Sequence, residues 1–289
     1  MWTKEITLHE LYDFDYTLHR LSWDPLLHLN VEERWIDVPL VLSGDRKEIA
    51  RVQAIGTIEA PRIQVSALVS ELKEETLARI AHLFQWDLDL SPMQAHFTDT
   101  NLAKLFHDFP GTPIVKDFDL YFSLMKTIIH QQLNMKFAFV LSSRFAETFG
   151  ERKGDVLFYP KPETIADLDY SKLRELQFSQ RKAEYVIDTS RMIASGELDL
   201  QTLETEEDDA VFEKLGKVRG IGPWTIENWL LFGLGRPDLF PKADIGIQNA
   251  LKAYFTIGRK PTMEEMVEWS KSWHPYRSYA SMTLWRSIE

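Results

Sequence analysis

The 289-residue sequence contains no cysteine. That absence excludes disulfides, thiolate zinc sites, cysteine nucleophiles and cysteine-ligated iron–sulfur clusters together. Long apolar runs are missing too: no window reaches the roughly 18 residues of a membrane span, and the N-terminal "MWTKEITLHE" lacks the apolar centre of a signal peptide. The expected location is cytoplasmic. Positive charge is scarce, with 33 Lys+Arg against 44 Asp+Glu and a formal net charge of -11, and the summed field opposes a polyanionic partner. The deficit is uneven. Residues 1–113 hold 10 basic and 18 acidic side chains (10 − 18 = −8), whereas residues 214–260 hold 8 and 3 (8 − 3 = +5).

What is present can fill real cores: 44% of residues are hydrophobic and 12% aromatic, which marks a globular chain of this length. Residues 34–42, 49–58 and 62–69 are β-branched runs separated by "SGDRK" and "EAP", the pattern of a small antiparallel sheet. Pro39 lacks an N–H for the ladder, so its strand is expected at an edge or with a bulge. Apolar spacing over 75–86 predicts a helix covering the sheet.

From Asp117 onward the pattern is helix after helix, with no convincing strand. Asn134 and Ser179 read as N-caps, Pro162 as a first helical residue, and Gly150 and Gly196 as stops. A boundary near 90–115 divides the chain into 1–110, an α+β unit with the sheet, then 111–230, helical, and 231–289, a helical C-terminal part. The acidic run "ETEEDD" at 204–209 reads as the first turn of a helix, where carboxylates interact favourably with the helix dipole.

"KVRGIGPWTIENW", Lys217 to Trp229, predicts helix, hairpin, helix, with Pro223 at the first helical position. Glycines turn the chain sharply and leave bare amides at a helix start, a site for a phosphate oxygen. Such a clamp and a local excess of positive charge can hold a phosphodiester on an acidic protein, with Lys214, Lys217 and Arg219 flanking it. From these letters alone an ordinary αα-turn remains the competing reading. Downstream, Asp244 opens another helix after "FPKA", where N-cap is the plain reading.

The whole stretch "GKVRGIGPWTIENWLLFGLGRPDLFPKADIGIQNAL", with 22 residues from Gly222 to Asp244, closely resembles the signature of the helix-hairpin-helix DNA glycosylases. "IIHQQLNMKFA" and "SWHPYRSYASMTLW" are similar to the DNA-3-methyladenine glycosylase II branch. The resemblance implies an α+β fold: a small N-terminal antiparallel sheet domain, then two all-α domains with the lesion pocket in their cleft. It implies a monofunctional glycosylase that flips alkylated purines out of double-stranded DNA and hydrolyses the N-glycosidic bond, acting as a monomer.

The implied roles are residue-specific. Asp244 is the catalytic carboxylate, ahead of Asp238, which stands where the family has a structural acid. Gly220, Ile221, Gly222, Thr225 and Arg219 bind the DNA backbone, Trp224, Trp285 and Asn228 line the base pocket, and Gln132 is the wedge that fills the gap left by the flipped base. A cationic alkylated base leaves without an acid, so one carboxylate suffices, and indoles attract it by cation–π contact. Trp224 occupies the position at which strand-cleaving relatives carry lysine, and an indole forms no imine. No metal or redox cofactor is expected, although the resemblance allows a monovalent cation at hairpin carbonyls.

Trp229, Trp269 and Trp273 read as core, and His130 as a helix-end residue without a catalytic role. Asn228 and Ile245 depart from the aromatic residues of some relatives, which bears on the lesion range. The competing readings are a non-catalytic DNA-binding protein and a glycosylase for oxidised or deaminated bases.

Overall fold

The computed structural model describes residues Met1–Glu289. Five strands, β1 (Trp2–Thr7), β2 (His28–Asn30), β3 (Trp35–Leu42), β4 (Arg46–Ala54) and β5 (Arg62–Ala67), form one antiparallel sheet in the order β1-β5-β4-β3-β2. Alternation sets its faces: Ala50, Val52 and Ala54 are buried while Lys47, Ile49 and Arg51 are not, and Val52 pairs with Val65 across the ladder. The helix Lys73–Leu83 lays Ile80 and Leu83 on this face. Burying each such aliphatic side chain contributes roughly 1.5–3 kcal/mol.

Pro39 sits in β3 opposite Ile49 of β4. β3 is not the edge strand, but its outer neighbour β2 pairs only with Trp35–Asp37, so the proline lies beyond the stretch that needs a donor on that side. β1 and β2 had no sequence signal. β1 is exposed at most positions and β2 is three residues long, so neither shows clean alternation.

The helical part follows its caps. Asn134 accepts a hydrogen bond from the Phe137 amide at the start of Met135–Phe149, and Ser179 does the same for Lys182 in Gln180–Ala194. Gly150 is obligatory as a stop, because a Cβ there would lie 2.5 Å from the Ala146 carbonyl oxygen. The acidic run divides: Asp208 and Asp209 fill the first turn of Asp208–Leu215, while Glu204 reaches His82 and Glu206 holds Lys214.

Two expectations need correction. Residues 151–158 form a small hairpin, β6 (Glu151–Lys153) with β7 (Val156–Phe158), inside the supposedly strand-free region. Its three β7 residues are all buried, so the two-residue period that would have marked a strand is absent. The helices Ser91–Phe97 and Ala103–Asp108, inside the stretch expected to form the 1–110 unit, bury Met93, Phe97 and Leu105 in the helical core, together with the N-cap Leu102 of the second. Short helices next to a proline carry too few turns to announce which core they join.

Buried polar contacts lock sheet and helices together. Gln85, at φ +57°, donates to the Gly235 carbonyl and accepts from the Tyr279 hydroxyl. Arg286 pairs with Asp13, which also caps the helix Phe14–Leu21. That helix is thereby fixed against the C-terminal helix Arg277–Arg286, and a cavity opens between them.

Candidate active site

The cavity encloses about 690 Å³. Asp244, Trp285, Trp224 and Asn228, predicted from separate parts of the sequence, all line it. Asp244 is the N-cap of Ile245–Tyr254, and its Oδ1 accepts hydrogen bonds from the Ile247 amide and from Trp285 Nε1, each at 2.9 Å. The N-cap reading holds, and the capping geometry leaves the carboxylate at the cavity wall. Two donors fix the carboxylate, and Oδ2 carries no hydrogen bond from the protein.

Gly246 makes this approach possible. A Cβ at that position would lie 2.9 Å from both Asp244 Oδ1 and Trp285 Nε1. The indole of Trp285 packs against Phe232 with ring centroids 5.9 Å apart. Asn228 spends its amide nitrogen on the Trp224 carbonyl one turn back.

The competitor, Asp238, is fully engaged: it receives two hydrogen bonds from the Arg277 guanidinium at 2.7 Å and one from His274. Burial raises its pKa, but these donors outweigh burial and hold it below the ordinary value. It joins the loop before Asp244 to the C-terminal helix and lies outside the cavity.

At the hairpin, Gly220 has φ +91° and Gly222 faces open space. The amides of Gly220, Gly222, Trp224 and Thr225 have no acceptor within the protein, as the first turn of a helix requires. Of the predicted phosphate contacts, Ile221 has no free amide to offer and Thr225 offers only its amide. Ile221 is buried and its amide donates to the Val218 carbonyl. The Thr225 side chain is buried, and its hydroxyl accepts from Gln131, which also donates to the Gly220 carbonyl. Gln131 thus ties the helix Leu120–His130 to the hairpin.

The flanking cations are less free than the local charge sum implied. Lys214 pairs with Glu206, Lys217 with Glu213 and Arg219 with Glu184, acids lying outside the window that was summed. These pairs are largely exposed, so each is worth little and can exchange its carboxylate for a phosphate.

Gln132 is exposed at φ +56° in the turn after Leu120–His130, while Leu133 packs into the core beside it. His130 lines the cavity with Nε2 3.1 Å from Ser142 Oγ. Burial, reinforced by Lys126 and Lys182, lowers its pKa to about 3, so the ring is neutral. Trp229 and Trp273 are fully buried, their indoles bonded to the Leu120 carbonyl and to Asn101.

Sequence reasoning missed the sheet domain's share of this cavity. Tyr16, Arg20 and Asp24 line it, as do Asp117, Lys126 and Glu289. Burial alone would lower the Lys126 pKa, but Asp117 and Asp24 together hold it above the ordinary lysine value. Burial raises that of Asp24. None of these residues sits in a spaced motif, and only the packing of one domain on another brings them together.

No helix is long and apolar enough to cross a membrane, and no cluster of three or more His, Asp or Glu could hold a metal ion. Comparison with known proteins identifies the family. The family described as HhH-GPD superfamily base excision DNA repair protein matches residues 125–275. A Bacillus subtilis protein provisionally named DNA-3-methyladenine glycosylase YfjP is 50% identical over 289 residues, all of both chains. A second B. subtilis protein, named DNA-3-methyladenine glycosylase, is 31% identical over 98% of this chain and 96% of its own. The solved structure of a 3-methyladenine DNA glycosylase from Archaeoglobus fulgidus shares the fold, with a TM-score of 0.83 over 99% of this chain and 98% of that one at 20% identity. With a helix-hairpin-helix followed 22 residues later by a cavity-lining aspartate, and relatives matched along the whole chain, this protein belongs to the HhH-GPD superfamily of base excision DNA repair proteins.

Proposed function

We propose that this chain is a monofunctional DNA glycosylase that excises alkylated purines, of the 3-methyladenine and 7-methylguanine type, from duplex DNA. The observation that carries the reading is Asp244: one oxygen is locked by two donors and the other is unpaired, in a cavity large enough for a purine. The names of the two B. subtilis relatives point to the same activity.

The chemistry follows from charge. When the N-glycosidic bond breaks, its electron pair stays with the base and the sugar becomes oxocarbenium-like. A fixed carboxylate beside C1′ stabilises that cation without reorganising, which is worth several kcal/mol in a desolvated site. Water then adds to C1′, leaving an abasic site and an intact strand. A base that is already cationic departs neutral and needs no acid.

Access requires the base to leave the stack. The hairpin amides of Gly220, Gly222 and Trp224 hold a phosphate of the lesion strand, Arg219 releases Glu184 to join them, and Gln132 enters the vacated space. The hairpin carbonyls also suit a monovalent cation: they are neutral oxygens with two lone pairs, although Gly220 already accepts from Gln131. No step of hydrolysis depends on it.

The direct test is to incubate the protein with methylated duplex DNA and identify the released bases. Release of 3-methyladenine or 7-methylguanine with uncut strands is expected. DNA binding without release would favour the non-catalytic reading.

A further inference from the structure

Arg20 projects from the sheet domain's helix Phe14–Leu21 into the cavity. Its guanidinium lies 5.4 Å from the Phe232 ring centroid and 5.5 Å from that of Trp285. Glu289 holds it there: Arg20 Nη1 donates to Glu289 Oε1 at 2.8 Å, and the Tyr16 hydroxyl donates to Oε2 at 2.9 Å. The bond to Glu289 is the only one the Arg20 side chain makes within the protein, so Nε and Nη2 are left without an acceptor although the side chain is only 24% exposed.

The arrangement places two functions on one indole. Asp244 sits at its edge and Arg20 over its face. An indole is close to a purine in size, so a base whose C1′ meets Asp244 brings its six-membered ring beside the guanidinium. Paired with Glu289, Arg20 forms a neutral unit that does not repel a cationic base, yet it offers N–H donors to one carrying acceptors.

Resting on the glycosylase reading, we infer that Arg20, positioned by Glu289, is a specificity-determining residue that extends excision to neutral purines with a 6-carbonyl, such as hypoxanthine. For a neutral base the electron pair of the breaking bond leaves with the ring, and negative charge spreads to O6 and N7. A guanidinium beside those atoms stabilises the departing anion. Water supplies hydroxide to C1′, and its proton ends on the released base. A 7-alkylated guanine is cationic before cleavage and gains less from the same donors.

Single-turnover excision of hypoxanthine and of 7-methylguanine from the same duplex tests this, using the full-length protein and its Arg20→Met, Arg20→Lys and Glu289→Gln variants. Arg20→Met should lower the hypoxanthine rate at least about tenfold more than the 7-methylguanine rate, the loss of one charge-assisted hydrogen bond. Arg20→Lys should recover part of that ratio, since a cation and donors remain, and Glu289→Gln should shift it in the same direction as Arg20→Met by less. Equal losses on both bases in all three variants would overturn the inference. A wild-type protein that releases 7-methylguanine but no hypoxanthine would also overturn it and leave the glycosylase reading standing, whereas release of neither base would remove both.

Discussion

Trp285 Nε1 lies 2.9 Å from Asp244 Oδ1, joining the last helix to the N-cap of the helix Ile245–Tyr254. The indole was expected as a wall for the base, and it is also the group that orients the carboxylate. The pair predicts that Trp285→Phe, which keeps an aromatic ring and removes the donor, lowers the single-turnover rate by about tenfold through the lost hydrogen bond. Affinity for DNA with an abasic-site analogue should stay near wild type. A wild-type rate would make Trp285 a packing residue only.

Asp244→Asn should abolish base release while leaving affinity for the abasic analogue within about tenfold, because the carboxylate acts on transition-state charge rather than on binding. The asparagine can still cap the helix, so the thermal midpoint should barely move. Normal excision by this variant would displace Asp244 from its role.

The two hairpin glycines should separate fold from DNA binding. A Cβ on Gly220 would lie 2.3 Å from the Tyr185 ring at φ +91°, so Gly220→Val should destabilise the protein by more than about 1 kcal/mol. A Cβ on Gly222 would meet nothing within 4 Å. Gly222→Val should keep the thermal midpoint and weaken DNA binding by crowding the phosphate, as salt-dependent binding curves would reveal; unchanged affinity would make the hairpin purely structural.

Borohydride should trap no enzyme–DNA adduct during turnover. The lysines of the cavity are not poised for imine formation: Lys126 is held protonated by Asp117 and Asp24, and the Lys116 amine, although burial lowers its pKa, is turned to His82 Nε2 at 2.8 Å. Trp224 supplies no amine at all. A trapped adduct would identify lyase chemistry at one of these lysines.

His130 should make stability sensitive to acid. Its folded pKa of about 3 lies below the ordinary 6.5, so between those values the unfolded chain binds a proton that the folded chain does not, and stability falls as pH drops below 6.5. The loss should be on the order of 1 kcal/mol by pH 5. Denaturant unfolding of wild type and His130→Gln at pH 7 and pH 5 measures it, and an equal pH dependence in both would refute the buried neutral imidazole.

Local signals were legible because they act within one or two turns. Asn134 and Ser179 cap helices by contacts three residues away, Gly220 and Pro223 specify the hairpin by backbone geometry, and the interval from Gly222 to Asp244 is a property of the chain itself. The strands β3, β4 and β5 announced themselves by β-branched runs between turns. β1, β2 and β7 did not, because exposed edges and fully buried short strands lack alternation.

Tertiary structure alone decided which residues meet in the cavity. Arg20 and Glu289 are 269 residues apart in sequence, and their pairing depends on the helix Phe14–Leu21 being fastened to the C-terminal helix by Asp13 and Arg286. The pairing of Lys217 with Glu213 and of Arg219 with Glu184 likewise cancels charge that a window sum counts as free. Backbone conformation is governed by neighbours along the chain, so a sequence can specify the hairpin and the position of Asp244. The electrostatics of a pocket depends on which side chains lie within a few ångströms, and that is set only when the sheet domain packs against the helices.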